Sequence, residues 1–367
     1  MSSAPKSKIT IIAVAVSNYH YLTELPGAIQ DVEELEEILV YSEKTALFSP
    51  NQFIKVTDPS SSDLREVIND YVRGVSKHDE ILIFYFSGHG TPISDRDFGL
   101  CTIDSVPHPT QELILPLSVV KFSDLLLNLN VGNITPIIII DACYSGFAGK
   151  TLLSPSEVIT SMRNEIHMQQ ASKFALLTSC NEIQESIDTP LGGIFSQYLV
   201  EIARGIYPVG NSSSRFLSLQ DIFPELEDRV MNYTGGNVTP RLFLGPTLPK
   251  FNFVKNVGYS PNTEILAPYL IRVLKALWSD GNDIKLSPRQ IDHLCGKGAY
   301  GNNSKLCLKP WALIEKDPET NSRRLTQRGK EFMLGKVELP KKIEKDQNTG
   351  DYKPAPNTNY LKITDYK

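Results

Sequence analysis

With 367 residues, 41% of them hydrophobic and 22% charged, the chain has the composition of an ordinary globular protein, neither disordered nor fibrous. Its formal net charge of -5 leaves no global positive field to hold nucleic acid by its phosphates, and its length predicts two domains, one large enough to bury a substantial core. Cys101, Cys143, Cys180, Cys295 and Cys307 form an odd set without a CxxC pair, which argues against a disulfide framework or a zinc ribbon and predicts a reducing, cytoplasmic setting.

The first apolar run, ITIIAVAV (Ile9 to Val16), is short, continuous and β-branched, as expected of a strand covered on both faces. It is too short to cross a bilayer and has no cleavage pattern behind it, so no membrane partner is expected. After the turn at Pro26 and Gly27, Ala28, Ile29, Val32, Leu35, Ile38 and Leu39 recur at helical spacing. QFIKV (Gln52 to Val56) predicts a second strand, and Leu64, Val67, Ile68, Tyr71, Val72 and Val75 a second helix, with Asp63 and Glu66 as its capping box. EILIFYF (Glu80 to Phe86) is a third strand, KFSDLLLNL (Lys121 to Leu129) a helix and PIIII (Pro136 to Ile140) a fourth strand. Beyond a polar stretch from Lys150 come a strand KFALLT (Lys173 to Thr178), a helix around Phe195, Tyr198, Leu199 and Ile202, another over Leu219 to Tyr233, and a sixth strand RLFLG. This alternation predicts a doubly wound α/β fold: a mostly parallel six-stranded sheet flanked by helices.

Two of the strands end abruptly in small polar motifs, Ser87-Gly88-His89-Gly90 and Asp141-Ala142-Cys143-Tyr144-Ser145-Gly146. Ligands in parallel sheets bind outside the carboxyl ends of the strands, so His89 and Cys143 are expected to meet there. A thiol attacks a peptide carbonyl as thiolate, and a neighbouring imidazole both favours that ion and protonates the departing amine. Cys143 follows His89 by 54 residues, near the separation of roughly 50 in the caspase signature. The glycines let the backbone approach a substrate, with the Gly90 and Cys143 amides as the expected oxyanion donors. Ser145 lacks the GxSxG setting of a serine nucleophile.

The motifs SGHG and DACYSG, in this order and context, resemble those of the caspase-like peptidases, most closely the metacaspase and bacterial caspase-like branch, over about Lys8 to Gly245. The resemblance implies a caspase-hemoglobinase fold, with the part from KFALLTSC onward matching the small-subunit portion, and a cysteine endopeptidase acting on protein or peptide substrates. True caspases carry Gln two residues before the nucleophile and arginines that receive a substrate aspartate; here Asp141 stands at that place and no Arg lies between Lys8 and Ser62. By resemblance to metacaspases, Asp31, Ser87 and Asp141 form an acidic pocket, and cleavage after Arg or Lys is expected. A carboxylate at Asp31, within an apolar helical stripe, needs a partner if buried. Many metacaspases require calcium; only Asp104, with Asp95 or Asp97, offers a ligand, and Lys150 stands where an acid is expected, so no metal is expected as cofactor. Lys150, Arg163 and Lys173 mark the polar stretch as a place for self-cleavage.

From Pro246 to Pro261 the composition shifts to Pro, Asn and Gly, which reads as a linker. The expected organisation is a peptidase domain over 1–250, a linker over 251–261, an accessory domain over 262–345 and a partly ordered tail over 346–367. The accessory part predicts a helix over Ile265 to Trp278, a second over Arg289 to Leu294 capped by Ser287, and a basic loop through Gly298 and Gly301. Its end resembles a winged-helix module, mainly α, with a hairpin near Lys316 to Asn321 and a helix bearing Leu325, Phe332 and Met333. Arg323, Arg324, Arg328 and Lys330 there suit a contact with DNA or a regulatory protein, and equally a solvated helix face. His293, Cys295 and Cys307 lack a fourth metal ligand and read as packing. The competing function is a catalytically inactive scaffold or DNA-binding regulator on the same fold; a bacterial stress or defence setting rests on analogy alone.

Overall fold

The computed structural model describes residues 8–75, 80–94, 97–110, 114–129, 134–144, 173–179, 188–189, 192–209, 214–245, 248, 251–260, 263–279, 281–295, 311–318, 320, 322–346 and 349–366. Lys150, Arg163, Asp95, Cys180, Cys307, Ser145, Gly146, Gly298 and Gly301 lie outside them. Contacts divide the chain into two compact units, residues 1–200 with 230–250, and residues 201–229 with 251–367.

The first unit is built on one sheet. In chain order its elements are β1 (Lys8–Ala15), α1 (Gly27–Glu36), β2 (Phe53–Thr57), α2 (Ser61–Gly74), β3 (Glu80–Ser94), β4 (Asp97–Cys101), β5 (Val119–Lys121), α3 (Phe122–Leu129), β6 (Ile134–Tyr144), β7 (Ala175–Thr178), a small hairpin of β8 (Asp188–Thr189) and β9 (Gly192–Gly193), and the start of α4 (Ile194–Ala203). After β10 (Phe216–Leu217) and α5 (Leu219–Tyr233) the chain returns as β11 (Arg241–Leu244). The sheet order is β11-β7-β6-β3-β1-β2. β6 and β1 flank β3 in parallel, and β2 and β7 extend the parallel run. β11 closes one edge antiparallel to β7.

The six expected strands are these six, but the sheet carries eight: β4 folds back antiparallel on the far end of β3, and β5 pairs with β4. Their sequences, DFGLC and VVK, are too short for alternation to register, and VVK runs straight into the pattern of α3. One face of the sheet packs Ile12, Val14, Leu82, Phe84, Phe86, Ile138 and Ile140 against Leu64 and Ile68 of α2 and Leu125 and Leu129 of α3. Burying residues of this size contributes about 1.5–3 kcal/mol each before the entropy of ordering is set against it. The opposite face receives α1, which buries Ala28, Asp31, Val32 and Leu35 at helical spacing.

Two local expectations change. α1 ends at Glu36 and a wider turn over Glu37–Tyr41 carries Ile38 and Leu39 into the core. The capping box of α2 is Ser60 with Asp63, three residues earlier than read from Asp63 and Glu66: the Asp63 carboxylate accepts from the Ser60 N–H, and the Ser60 hydroxyl accepts from the Asp63 N–H. The bonds from Ser60 hold the Asp63 carboxyl below the usual carboxylate range.

The second unit has its own core, with Leu266, Tyr269, Leu270, Leu274, Trp311, Phe332 and Ile343 fully enclosed. It contains β12 (Val254–Lys255), β13 (Thr263–Ile265), α6 (Pro268–Ala276), β14 (Trp278–Ser279), β15 (Asn282–Asp283), α7 (Pro288–Cys295), β16 (Ile314–Lys316), β17 (Arg323–Leu325), α8 (Gln327–Met333), β18 (Leu339–Pro340), β19 (Lys342–Lys345), β20 (Tyr352–Pro354) and β21 (Tyr360–Leu361). The expected helices, the Ser287 cap and the hairpin before α8 are present, but Leu325, expected on the last helix, lies in β17 paired with Ile314, and α8 carries only Phe332 and Met333 of the three. A mainly helical module was expected; short paired strands take a comparable share, and residues 349–366, expected as a partly ordered tail, supply β20 against β19 and β21 against β18. Polar composition hid them, because strands of two or three residues are too short for alternation to register. Among the described residues no helix is long and apolar enough to cross a membrane.

Candidate active site

The parallel ladder of β3 on β6 pairs Ser87 with Asp141, Gly88 with Ala142 and His89 with Cys143. The backbone therefore sets the two expected reactive residues directly opposite one another on neighbouring strands, about 4.8 Å apart along the direction of interstrand hydrogen bonding. Tyr85, Ser87 and His89 alternate along β3 and so share one sheet face, the face that receives α1.

His89 is held on three sides. Its backbone N–H donates to the Tyr19 hydroxyl at 2.7 Å, and the Tyr19 ring lies against the imidazole at a centroid distance of 4.7 Å. Its Nε2 meets the Thr23 carbonyl oxygen at 2.9 Å. A carbonyl only accepts, so Nε2 carries the proton and, in the neutral ring, Nδ1 is left as the basic nitrogen. The residue is 8% exposed, and burial depresses the imidazole below its ordinary value although the Thr23 carbonyl pulls the other way.

The glycines beside it are required by packing. A Cβ on Gly90 would stand 2.1 Å from the Phe98 ring, and one on Gly88 would stand 2.7 Å from the Tyr19 hydroxyl. The sequence reading assigned these glycines to substrate approach alone; the aromatic neighbours that demand them come from the loop after β1 and from β4.

Asp31, Ser87 and Asp141 are brought together. The Ser87 hydroxyl donates to Asp31 Oδ2 at 2.8 Å, and the Gly193 N–H donates to Asp31 Oδ1 at 3.0 Å. Asp141 Oδ2 accepts from the Ser196 hydroxyl at 2.5 Å and the Ser196 N–H at 3.3 Å. Both carboxylates are buried, at 4% and 7% exposure. A Cβ on Gly193 would lie 2.7 Å from Asp141 Oδ2 and 3.4 Å from Asp31 Oδ2, so these oxygens are within about 6 Å of each other, the range in which like charges repel appreciably. Beneath them the fully enclosed Tyr85 hydroxyl touches the Ser196 hydroxyl; burial pushes the Tyr85 phenol well up, and the Asp31 and Asp141 charges add to that.

Two of the residues weighed as calcium ligands, Asp104 and Asp97, have other partners. Asp104 accepts from the N–H and hydroxyl of Ser61 and from the Thr102 hydroxyl, tying the start of α2 to the turn after β4. Asp97 accepts from the N–H and hydroxyl of Ser123 and from the Phe98 N–H. Among the described residues no group of three or more His, Cys, Asp or Glu side chains converges to hold a metal ion. Cys101 is enclosed and its thiol is pushed up to about 12 by burial, which makes it an inert core group. In the second unit Arg324 pairs with Glu315 and Asp317, and Lys330 with Asp283, so two of the four basic residues set aside for DNA or protein contact are already neutralised; Arg328 is exposed.

Sequence reasoning missed Tyr19, Thr23, Tyr85, Gly193 and Ser196. Tyr19 and Thr23 lie in SNYHYLTELP, a stretch without periodicity, and Gly193 and Ser196 reach the site only by folding over long chain separations. The one available sign was the Gly192-Gly193 pair ahead of an apolar helix.

No curated protein matches the chain. Among solved structures it is similar to protein GSU0716 from Geobacter sulfurreducens, with 16% identity and a TM-score of 0.43 over 68% of this chain and 97% of that one. The Peptidase C14 caspase-domain model matches residues 10–248, from the first core strand to just beyond the last, and takes in His89, Cys143 and both acidic positions. On that match the chain belongs to the caspase-domain family of cysteine peptidases.

Proposed function

We propose that the protein is an endopeptidase of the metacaspase-like branch that cleaves protein or peptide substrates after Arg or Lys, with Cys143 as nucleophile and His89 as its acid/base partner. The observation that carries this reading is the pair of buried carboxylates beside the opposed His89 and Cys143: Asp141, two residues before Cys143 on β6, and Asp31 of α1, bonded to Ser87 two residues before His89 on β3. Two such charges close together favour a cationic side chain as their counter-ion, and a guanidinium or ammonium group satisfies both. Ser87 then orients Asp31 beside the reacting centre.

In this mechanism the Cys143 thiol transfers its proton to His89 Nδ1 and the thiolate adds to the scissile carbonyl carbon. The resulting oxyanion is met by the Gly90 and Cys143 N–H groups, each such donor contributing about 2.7–4 kcal/mol to the transition state. Collapse breaks the C–N bond as the imidazolium returns the proton to the leaving amine. Water, deprotonated by the same imidazole, then hydrolyses the thioester and restores the thiol. The Thr23 carbonyl and Tyr19 hold the ring through these transfers.

We assign the peptidase to residues 1–250 and a regulatory or recruiting role, with a protein or DNA partner, to a winged-helix-like module over 262–345, in a cytosolic protein. The scheme is drawn without a metal; Asp97 and Asp104 accept hydrogen bonds within the protein, and the calcium arm of the test below decides the point. Self-cleavage would fall among Lys150, Arg163 and Lys173. The test is turnover of fluorogenic peptides ending in Arg, Lys or Asp, with and without calcium. Arg and Lys peptides are expected to be cleaved, Asp peptides not, and Cys143→Ala or His89→Ala to lower kcat/KM by on the order of a thousandfold or more. Asp31→Asn or Asp141→Asn should cost about a hundredfold on basic peptides. A wild-type protein without turnover on any of them favours the inactive scaffold or regulator.

A further inference from the structure

We infer that Ser196, backed by Tyr85 and walled by Gly193, is a positioning residue that sets the pose of Asp141 and thereby the selectivity of the basic-residue slot. The inference rests on the peptidase reading above and adds to it three residues outside the two motifs.

The hydrogen bonds around Ser196 can run in only one direction. The Asp141 carboxylate accepts, so the Ser196 hydroxyl donates to it, and its oxygen is left to accept from Tyr85 at 2.5 Å. Tyr85 is fully buried and stays protonated, so it remains a donor at every working pH. The relay therefore reads Tyr85 to Ser196 to Asp141, each hydroxyl donating once. The Ser196 N–H adds a second bond to the same carboxylate oxygen. A carboxylate that accepts two bonds from Ser196, one of them backed by Tyr85, keeps its direction before a substrate arrives, which lowers the cost of ordering it on binding.

Gly193 provides the neighbouring wall. Its N–H fixes Asp31, and the space over its Cα is bounded by oxygens of both carboxylates. A methyl group there would enter the gap between Asp31 and Asp141, where the cation of the substrate is expected. Thus the turn from β9 into α4, which lies outside the strands that carry His89 and Cys143, completes the slot.

Steady-state kinetics of the full-length protein on Arg and Lys peptides separate the possibilities. Ser196→Ala should raise KM by about ten- to a hundredfold, the range for losing a hydrogen bond to a charged group, with kcat little changed, while Ser196→Thr restores the wild-type KM. Tyr85→Phe should shift KM in the same direction by less, and it carries the test if Ser196→Ala melts far below the wild type. Gly193→Ala should remove Arg cleavage more than Lys cleavage, because the broader guanidinium needs the gap. An unchanged KM in Ser196→Ala and Tyr85→Phe, or a fall in kcat alone, overturns the assignment while leaving the peptidase reading intact; a wild type inactive on both peptides overturns the peptidase reading itself.

Discussion

At the scale of single residues the proposed chemistry turns on the protonation of His89. Burial holds its imidazole below the ordinary value of 6.5, so the neutral form with a basic Nδ1 persists into mildly acidic solution. The acid limb of kcat/KM, which reports the free enzyme, should therefore lie below pH 6.5. A pH profile with that limb at or above 6.5 counters the assignment. The linkage has the same sign for stability: a depressed folded value means that His89 contributes above 6.5 and that its contribution is lost as acidification protonates the unfolded chain first. His89 and Cys143 could be singled out from their motifs, because small polar residues at the ends of apolar strands leave a sharp trace in sequence. Tyr19 and Ser196 leave none, since a lone tyrosine or serine acquires meaning only from what it touches.

At the scale of elements, the far end of β3 is shaped by an aromatic ring from its antiparallel neighbour. Gly90→Ala would drive a methyl group to 2.1 Å from Phe98, and overpacking of this kind costs about 1–3 kcal/mol. Thermal melting should show the loss, with a smaller loss when Phe98→Leu is introduced in the same chain; equal melting of Gly90→Ala and wild type counters the packing argument. The central strands β1, β3, β6 and β7 were legible because they are buried on both faces and so carry an unbroken hydrophobic run, whereas the half-buried edge strands β2 and β11 were legible from their apolar residues and their place in the strand–helix alternation. β4, β5 and the short strands near the C-terminus were not, because pairs of two to five residues are specified by their partners more than by their own composition. The Ser60 cap was misread for a related reason: serine and aspartate at three-residue spacing fit several frames, and only the geometry selects Ser60 with Asp63.

At the scale of the whole molecule, the second unit holds a charged cluster that the sequence did not announce. Glu225 is fully enclosed and bonded to Arg229, whose guanidinium lies over the Tyr207 ring, while Arg272 of α6 reaches Glu227 and Asp228. Burial outweighs the attraction of Arg229 and pushes the Glu225 carboxyl up to about 7. A raised carboxyl stabilises the fold while it is protonated and loses that contribution as pH climbs through the folded value. Melting temperature should therefore decline as pH rises from about 4.5 to about 7 and level off above it, and Glu225→Gln should flatten that decline; parallel curves for the two proteins would rule the effect out. A different kind of coupling runs through the centre of the first unit. Tyr85, Ser87 and His89 are alternate side chains of one strand, so the floor of the proposed slot, its rim and the proposed proton carrier share a single reading frame along β3. Adding or deleting one residue anywhere upstream in that strand would invert all three together, and recognition and turnover cannot be tuned there one at a time.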